Sequence, residues 1–245
     1  MSPPKIPAQM STTCAYPVPM YELLGQKTKT GKKLVVQNPP PEKTRTKEIL
    51  RDCGSCSGCR IRRRMDLSFR LQCEASLHKK SWFITATYDD ENLPYGETLI
   101  ADHISSFVKA LRQNISRSGD KTKLRFFGVG EYGGLTKRPH YHFIIFGPDL
   151  PDKKLTYSKP NNSFFSETFV QLTGASQIGT PYYESEILTK SWGKGIVQAT
   201  PTSEATMQYV SKFHIDKVTG DQAEDHYKRT LQDGTEVSVE SEKSR

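Results

Sequence analysis

The chain has 245 residues, enough for one large domain or for one domain with appendages. It carries 35 Lys and Arg against 27 Asp and Glu, a net charge of +8. No run of about 18 apolar residues is present, which excludes a membrane-spanning helix, and residues 1–10 lack the pattern of a secretory signal. The five cysteines, three of them clustered, do not fit a secreted disulfide framework, so we expect a reducing cytoplasm.

The positive charge is concentrated at one end. Residues 1–80 contain sixteen Lys and Arg against six Asp and Glu, and the densest part is Arg60, Arg62, Arg63 and Arg64. Such a field attracts polyanions, of which nucleic acid is the commonest, although a solvated basic face without a partner remains an alternative.

The first 80 residues predict a tail followed by a helix. Residues 1–50 are rich in Pro, Thr and Lys and lack apolar periodicity, so they predict an extended N-terminal tail. Residues 51–80 contain the cysteine cluster and then a basic helix of about 18 residues. Its expected buried side has an apolar residue at every fourth position: Ile61, Met65, Phe69, Cys73 and Leu77.

Residues 51–217 predict one α+β domain, a central, mainly antiparallel sheet flanked by helices with a basic N-terminal extension. The strands are predicted at Ser81–Tyr88, Lys123–Glu131, His140–Phe146 and Gly195–Thr200, and the further helices at Leu99–Ile115 and Ser203–Ile215. Residues 149–190 are predicted as a weakly structured insertion, and residues 218–245 as a polar C-terminal segment.

Two histidines and an acid predict a metal site. His140 and His142 alternate along a strand, so both side chains lie on one face. If the two preceding strands form a hairpin, Glu131 lies opposite His140 and shares that face. A carboxylate with two imidazoles suits Mg²⁺ or Mn²⁺ bound together with a phosphate. The alternative is a pair of hydrogen-bonded surface histidines.

Tyr209 and Lys212 predict a nucleophile and its cation. They lie three residues apart on a predicted helix and so on nearly the same side. A phenol becomes an effective nucleophile when a metal polarises the phosphorus and a cation stabilises the developing charge. The alternative is that Tyr209 is a core aromatic residue and Lys212 is solvated.

Cys53, Cys56 and Cys59 repeat as C-x₂-C-x₂-C, a spacing that can bind structural zinc. An iron–sulfur cluster and free thiols are the alternatives. A fourth zinc ligand could come from Cys73, His78 or Cys14. Cys73 lies on the apolar stripe, however, which favours a buried hydrophobic role for it.

Several segments resemble one protein family. RPHYHFIIFG (Arg138–Gly147) is similar to the His-hydrophobic-His motif of the HUH endonucleases that start rolling-circle replication. Four further segments resemble the replication initiators of small single-stranded DNA phages, the Microviridae of gokushovirus type, and together the likeness covers about residues 50–215. They are CGSCSGCR (Cys53–Arg60), FITATYDDENLP (Phe83–Pro94), FFGVGEYGG (Phe126–Gly134) and QYVSKF (Gln208–Phe213).

The resemblance implies a mechanism. His140 and His142, with Glu131 as our choice of acidic ligand, would hold Mg²⁺ or Mn²⁺. Tyr209 would attack single-stranded origin DNA and stay linked to the 5′ end, and the released 3′ hydroxyl would be extended by the host replication machinery. A later transfer would rejoin the strand. The implied location is the cytoplasm of the bacterial host.

One position departs from the family. Related initiators can carry a second tyrosine four residues after the first, where this chain has Phe213, so the two-tyrosine scheme would need a reused tyrosine, another tyrosine or a second subunit. The chain also ends soon after this helix, so we expect that a C-terminal portion of relatives is missing.

Two other functions fit the sequence. One is a non-catalytic module that binds single-stranded nucleic acid by stacking bases on Tyr88, Phe126 and Phe127 of an open sheet. The other is a metal-dependent phosphodiesterase that uses water as its nucleophile.

Overall fold

The structure is a computed structural model that describes residues 13–133, 136–159, 180–215, 223–224, 227–231 and 234–241, with residues 157–159 and 213–215 described by their backbone alone. The chain forms two compact units, residues 1–66 and 67–245. The boundary falls inside helix α1 (Ser57–Ser76). Within the described part of the chain, no helix has both the length and the apolar character needed to cross a bilayer.

The first unit contains a small antiparallel sheet where the sequence predicted a tail. Its strands are β1 (Val18–Lys27), β2 (Lys33–Val36) and β3 (Thr46–Arg51), in the order β2-β1-β3. Their side chains are half-buried or exposed. The strands therefore depend on backbone pairing rather than on a buried apolar face, which is why apolar periodicity did not reveal them.

Helix α1 is found where the sequence predicted it, but the predicted buried side was wrong. Met65, Phe69 and Leu77 are 59%, 65% and 78% exposed, and Cys73 is also exposed. The buried side carries a second series with the same spacing, Leu67, Leu71 and Ala75, which packs in a core cluster with residues of the sheet of the second unit. Four-residue spacing alone cannot distinguish two parallel apolar stripes.

The second unit is built on a six-stranded antiparallel sheet in the order β5-β6-β4-β9-β8-β7, which confirms the predicted α+β class. The strands are β4 (Ser81–Tyr88), β5 (Arg125–Tyr132), β6 (Pro139–Phe146), β7 (Lys154–Lys159), β8 (Thr180–Glu184) and β9 (Gly195–Pro201). The helices are α2 (Ala101–Arg117), α3 (Glu186–Trp192) and α4 (Glu204–Ile215), with a 3₁₀ turn at Tyr95–Glu97. A short hairpin, β10 (Lys228–Thr230) and β11 (Glu236–Ser238), follows.

The predicted insertion at 149–190 lies only partly within the described residues, because residues 160–179 fall outside them. Its two flanks extend the sheet as β7 and β8, which pair with each other in antiparallel fashion, and α3 begins inside it.

Helices cover both faces of this sheet. On one face, α2 and α3 pack against side chains such as Ile84, Phe143 and Val197. On the other face, the second half of α1 and α4 pack with Phe83 and Ile144. Alternating side chains along each strand thus enter two separate cores.

The aromatic residues predicted to stack bases are not on an open surface. Tyr88 is 2% exposed, and its hydroxyl lies 2.9 Å from that of Tyr141 and 2.6 Å from Nδ1 of His103. Phe126 and Phe127 are half-buried and pack in the two core clusters. The prediction of a stacking platform made of these three residues is therefore wrong, because helices occupy both faces.

Gly195 is required where β9 meets β4. Its φ is +133°, and a Cβ atom there would lie 2.3 Å from the Asp89 nitrogen and 2.5 Å from the Thr87 oxygen. Both contacts are with backbone atoms, which cannot rotate away as a side chain can.

We expect Gly195→Ala to lower the free energy of unfolding by about 3 kcal/mol, since it adds both backbone strain and a steric clash. The neighbouring substitution Ile196→Ala is the control: that side chain is 64% exposed, and its loss should cost less than about 1 kcal/mol. Urea denaturation measures both. Equal destabilisation by the two variants would contradict the steric argument.

Candidate active site

The hairpin of β5 and β6 brings Glu131 and the two histidines together. Glu131 pairs with His140 and Val129 with His142, which is the register that the sequence predicted. On the other side of β6, Thr85 of β4 pairs with His142. All these side chains lie on the sheet face that α4 covers.

One carboxylate lies between the two imidazoles. His140 Nε2 is 2.9 Å from Glu131 Oε1, and His142 Nε2 is 3.4 Å from Glu131 Oε2. The three potential ligand atoms lie within 4.8 Å of one another. Glu131 and His142 are 6% and 4% exposed, while His140 is half-buried, so the cluster opens towards solvent on the His140 side.

The far nitrogen of each imidazole is also held. The Arg138 carbonyl lies 3.2 Å from His140 Nδ1, and because a carbonyl can only accept, Nδ1 carries the proton of this bond. Thr85 Oγ1 lies 3.1 Å from His142 Nδ1. Both rings therefore present Nε2 to Glu131, as in histidines that bind metal through one nitrogen and are oriented through the other.

Burial and proximity set the ionisation of this cluster. Burial by itself raises the pKa of the Glu131 carboxyl, but hydrogen bonds with His140 and His142 outweigh it, so the pKa lies below its usual value. Burial lowers the pKa of His142. An ionised carboxylate and a neutral imidazole are the forms that bind a metal cation.

Helix α4 places the Tyr209 phenol beside this cluster. The Tyr209 ring lies 5.3 Å from the His142 ring and 6.1 Å from the Phe83 ring, edge-on to both. Buried Met207 and Val210 of the same helix pack in the core and fix which side of α4 faces the sheet. The predicted convergence of the late helix and the hairpin is therefore present.

The Tyr209 phenol is in an environment that disfavours its ionised form. Burial raises the pKa of Tyr209, and the negative charge of Glu131 raises it further. Tyr182 of β8 adds a smaller electrostatic contribution of the same sign. Tyr209 therefore needs a nearby positive charge before it can act as a nucleophile at neutral pH.

The other predicted residues of the α4 site are placed less informatively. Lys212 lies on α4, three residues after Tyr209, and is exposed, so its assigned role stays a prediction. The side chain of Phe213 lies outside the described residues. Thr85 and Tyr182 were missed by the sequence analysis, because neither belongs to a local motif and only the long-range pairing of β4 and β8 brings them to this face.

The donor set fits a divalent cation. One carboxylate oxygen and two imidazole nitrogens form a mixed oxygen and nitrogen set, which suits Mg²⁺ or Mn²⁺ and leaves further coordination positions for oxygens of a substrate. The cluster is also next to a phenol. A phosphodiester bound here would lie between a Lewis acid and a nucleophile.

The structure gathers the cysteines of the first unit into a second cluster. Cys14 joins Cys53, Cys56 and Cys59, and the four sulfur atoms lie within 4.8 Å of one another. Neither of the other two candidates for a fourth ligand is part of this group of four sulfurs. Cys73 is exposed on α1, which also shows that its predicted burial was wrong, and His78 lies 2.8 Å from Glu74 and stacks on Phe146.

The thiols of this cluster differ in acidity. Hydrogen bonds from the backbone of Cys56 and then Ser55 lower the pKa of Cys53 to about 6. Backbone hydrogen bonds from Ala15 and Cys59 also lower the pKa of Cys56. Burial raises the pKa of Cys59 to about 12.

This fold and site define an α+β protein in which a tyrosine on a helix faces a carboxylate and two histidines on a hairpin. The model of a family described as "Replication-associated protein ORF2" matches residues 81–218, more than half of the chain. The chain belongs to this family. The match includes Glu131, His140, His142 and Tyr209 but not the cysteine cluster.

Curated relatives agree with this family. The chain is similar to "Replication-associated protein ORF2" of Spiroplasma virus 4 (27% identical, 68% of this chain and 48% of the relative). It is also similar to "Replication-associated protein VP4" of Bdellovibrio phage phiMH2K (27%, 71% and 50%) and to "Replication-associated protein ORF4" of Chlamydia phage 1 (30%, 66% and 37%).

These relatives confirm the resemblance to the replication proteins of small single-stranded DNA phages. The chain spans half the length of these relatives or less. No solved structure matches.

Proposed function

We propose that this protein initiates rolling-circle replication by cutting single-stranded origin DNA with Tyr209 as the nucleophile. One observation carries the proposal: the Tyr209 ring lies 5.3 Å from His142, within the three-ligand cluster, in a member of a replication-associated family. In the bacterial host cytoplasm, the released 3′ hydroxyl would be extended by the host replication machinery.

Glu131, His140 and His142 would hold the divalent cation, Mg²⁺ or Mn²⁺. When bound there, a cation supplies positive charge that polarises the scissile phosphodiester and offsets the charge of Glu131. Thr85 and the Arg138 carbonyl keep the two imidazoles in the orientation that this binding requires.

Tyr209 performs the cut. Its phenolic oxygen forms a bond to phosphorus while the bond from phosphorus to the 3′ oxygen breaks, so the DNA 5′ end becomes a phosphotyrosine ester. The phenolic proton leaves, and the departing 3′ oxygen takes up a proton to become the hydroxyl. One ester replaces another, so attack by a 3′ hydroxyl on the phosphotyrosine can later rejoin a strand without ATP.

Lys212 would stabilise the negative charge that develops during attack. Burial and Glu131 raise the pKa of the phenol, so the phenolate depends on added positive charge. Lys212 follows Tyr209 at nearly the same side of α4, and its exposed ammonium can reach towards a bound phosphate.

Two alternatives are distinguished by the products. A phosphodiesterase that uses water would cleave the DNA without remaining attached to it, and a pure binding module would not cleave at all. The buried positions of Tyr88 and the half-buried Phe126 and Phe127 weaken the binding-module alternative, because they remove the surface on which it was based.

We expect Tyr209→Phe to lower covalent adduct formation by at least about 10³-fold, because it removes the attacking oxygen. The substrates are labelled single-stranded oligonucleotides tiled across the genome that encodes the protein, with Mn²⁺ or with a chelator, and denaturing gels measure the adduct. Tyr183→Phe is the matched control, since it also removes a phenolic oxygen but packs edge-on to Trp82 on the opposite sheet face.

Cleavage that persists in Tyr209→Phe without an adduct would establish the water-using alternative. An adduct that persists in this variant would show that another residue is the nucleophile. Wild-type cleavage that is unaffected by the chelator would remove the cation from the mechanism.

We expect Thr85→Val to weaken Mn²⁺ binding by about 10-fold, because it removes the group that orients His142 through Nδ1. Thr85→Ser keeps a hydroxyl and should bind Mn²⁺ nearly as the wild type does. Calorimetric titration measures both. If the valine variant bound Mn²⁺ like the serine variant, Thr85 would have no orienting role.

A further inference from the structure

The first unit lacks the apolar burial that normally stabilises a domain. Among its described residues, 13–66, Cys59 is the only hydrophobic residue that is fully buried. A three-stranded sheet of this size needs stabilisation other than a core, and a disulfide or a metal is the usual source.

Strand pairing explains why four distant cysteines meet. Val18 at the start of β1 pairs with Arg51 at the end of β3, so the chain before β1 and the chain after β3 leave the sheet at the same edge. Cys14 and Cys53 lie just beyond these ends. Cys56 and Cys59 follow at the start of α1, which begins at Ser57.

The distances between the sulfur atoms fit one metal ion. Cys53 and Cys59 sulfurs are 4.0 Å apart, as are those of Cys14 and Cys56, and all four cysteines are free thiols. A disulfide requires about 2.05 Å. Tetrahedral zinc with bonds of about 2.3 Å places neighbouring thiolate sulfurs about 3.8 Å apart.

Backbone groups point at the sulfurs. The Cys53 N–H donates to Cys14 Sγ at 3.3 Å, and the Cys56 N–H donates to Cys53 Sγ at 3.4 Å. The Ala15 N–H donates to Cys56 Sγ at 3.5 Å. Donors of this kind stabilise the negative charge on thiolates bound to a metal.

The surrounding charge has the sign that such a centre needs. Four thiolates and Zn²⁺ together carry a charge of about −2. The cavity next to Cys59 is lined by Arg51, Arg62 and Arg63, among other residues. Gly54, with φ of +78°, lies in the turn between Cys53 and Cys56, and a Cβ there would lie 2.6 Å from the guanidinium of Arg63.

We propose that Cys14, Cys53, Cys56 and Cys59 bind one structural Zn²⁺ that holds the N-terminal sheet to the start of α1. Binding converts thiols to thiolates and releases their protons to solvent, and no electron transfer is involved. The metal closes the long chain segment between Cys14 and Cys53 and stabilises a unit that has almost no apolar core. This site is separate from the proposed strand-cutting chemistry.

The test uses the full-length chain carrying His140→Ala and His142→Ala, so that the other metal cluster does not contribute. Purified under reducing conditions without chelator, this protein should contain about one zinc per chain by elemental analysis. Adding Cys14→Ser should reduce the content at least about tenfold. Adding Cys73→Ser, which changes an exposed cysteine outside the cluster, should leave it unchanged.

A second measurement does not depend on the folding of a variant. Co²⁺ added to the metal-free parent should give thiolate-to-cobalt charge-transfer absorption together with the visible bands of tetrahedral cobalt. Absence of both zinc and this spectrum would overturn the proposal. So would iron in place of zinc, or a zinc content that Cys14→Ser leaves unchanged.

Discussion

The proposed active site depends on a single carboxylate shared by two histidines. A buried acid is destabilising unless it is paired, and Glu131 is paired through both oxygens, with His140 at 2.9 Å and His142 at 3.4 Å. The pairing holds only because β5 and β6 are in one register. A shift of one residue would send the histidines to the opposite core. The hairpin register therefore determines at once the metal ligands, their protonation and the charge that the Tyr209 phenol meets.

The opposite face of the same strands makes this arrangement rigid. Between the site-facing residues of β5 lie Gly128 and Gly130, and a Cβ on Gly130 would come 2.8 Å from the Leu99 side chain. The missing side chains allow Leu99 and Tyr141 to pack closely against β5. The Tyr141 hydroxyl in turn accepts a hydrogen bond from the Ile100 nitrogen just before α2. The site strand is thus clamped from behind, and the side chains in front keep fixed positions.

The sequence predicted what local periodicity controls and missed what long-range pairing controls. Glu131 opposite His140 followed from a two-residue repeat and one short hairpin, and both were correct. Thr85 and Cys14 reach their clusters through β4–β6 and β1–β3 pairing, whose registers no local pattern encodes. The buried side of α1 failed for a related reason: two apolar stripes had the same spacing, and only the sheet decided between them.

The two clusters differ in a way that would keep their ions apart. Glu131, His140 and His142 offer hard or borderline donors, whereas the four cysteines offer soft thiolates. Mn²⁺ and Mg²⁺ bind thiolates weakly compared with zinc, so a tetrathiolate centre would retain zinc while the mixed centre exchanges Mg²⁺ or Mn²⁺ with solvent. A strand-cutting centre benefits from such exchange, since the DNA must enter the coordination sphere, whereas a structural centre must stay closed. Ligand chemistry alone is therefore sufficient to assign a permanent ion to the first unit and a replaceable ion to the second.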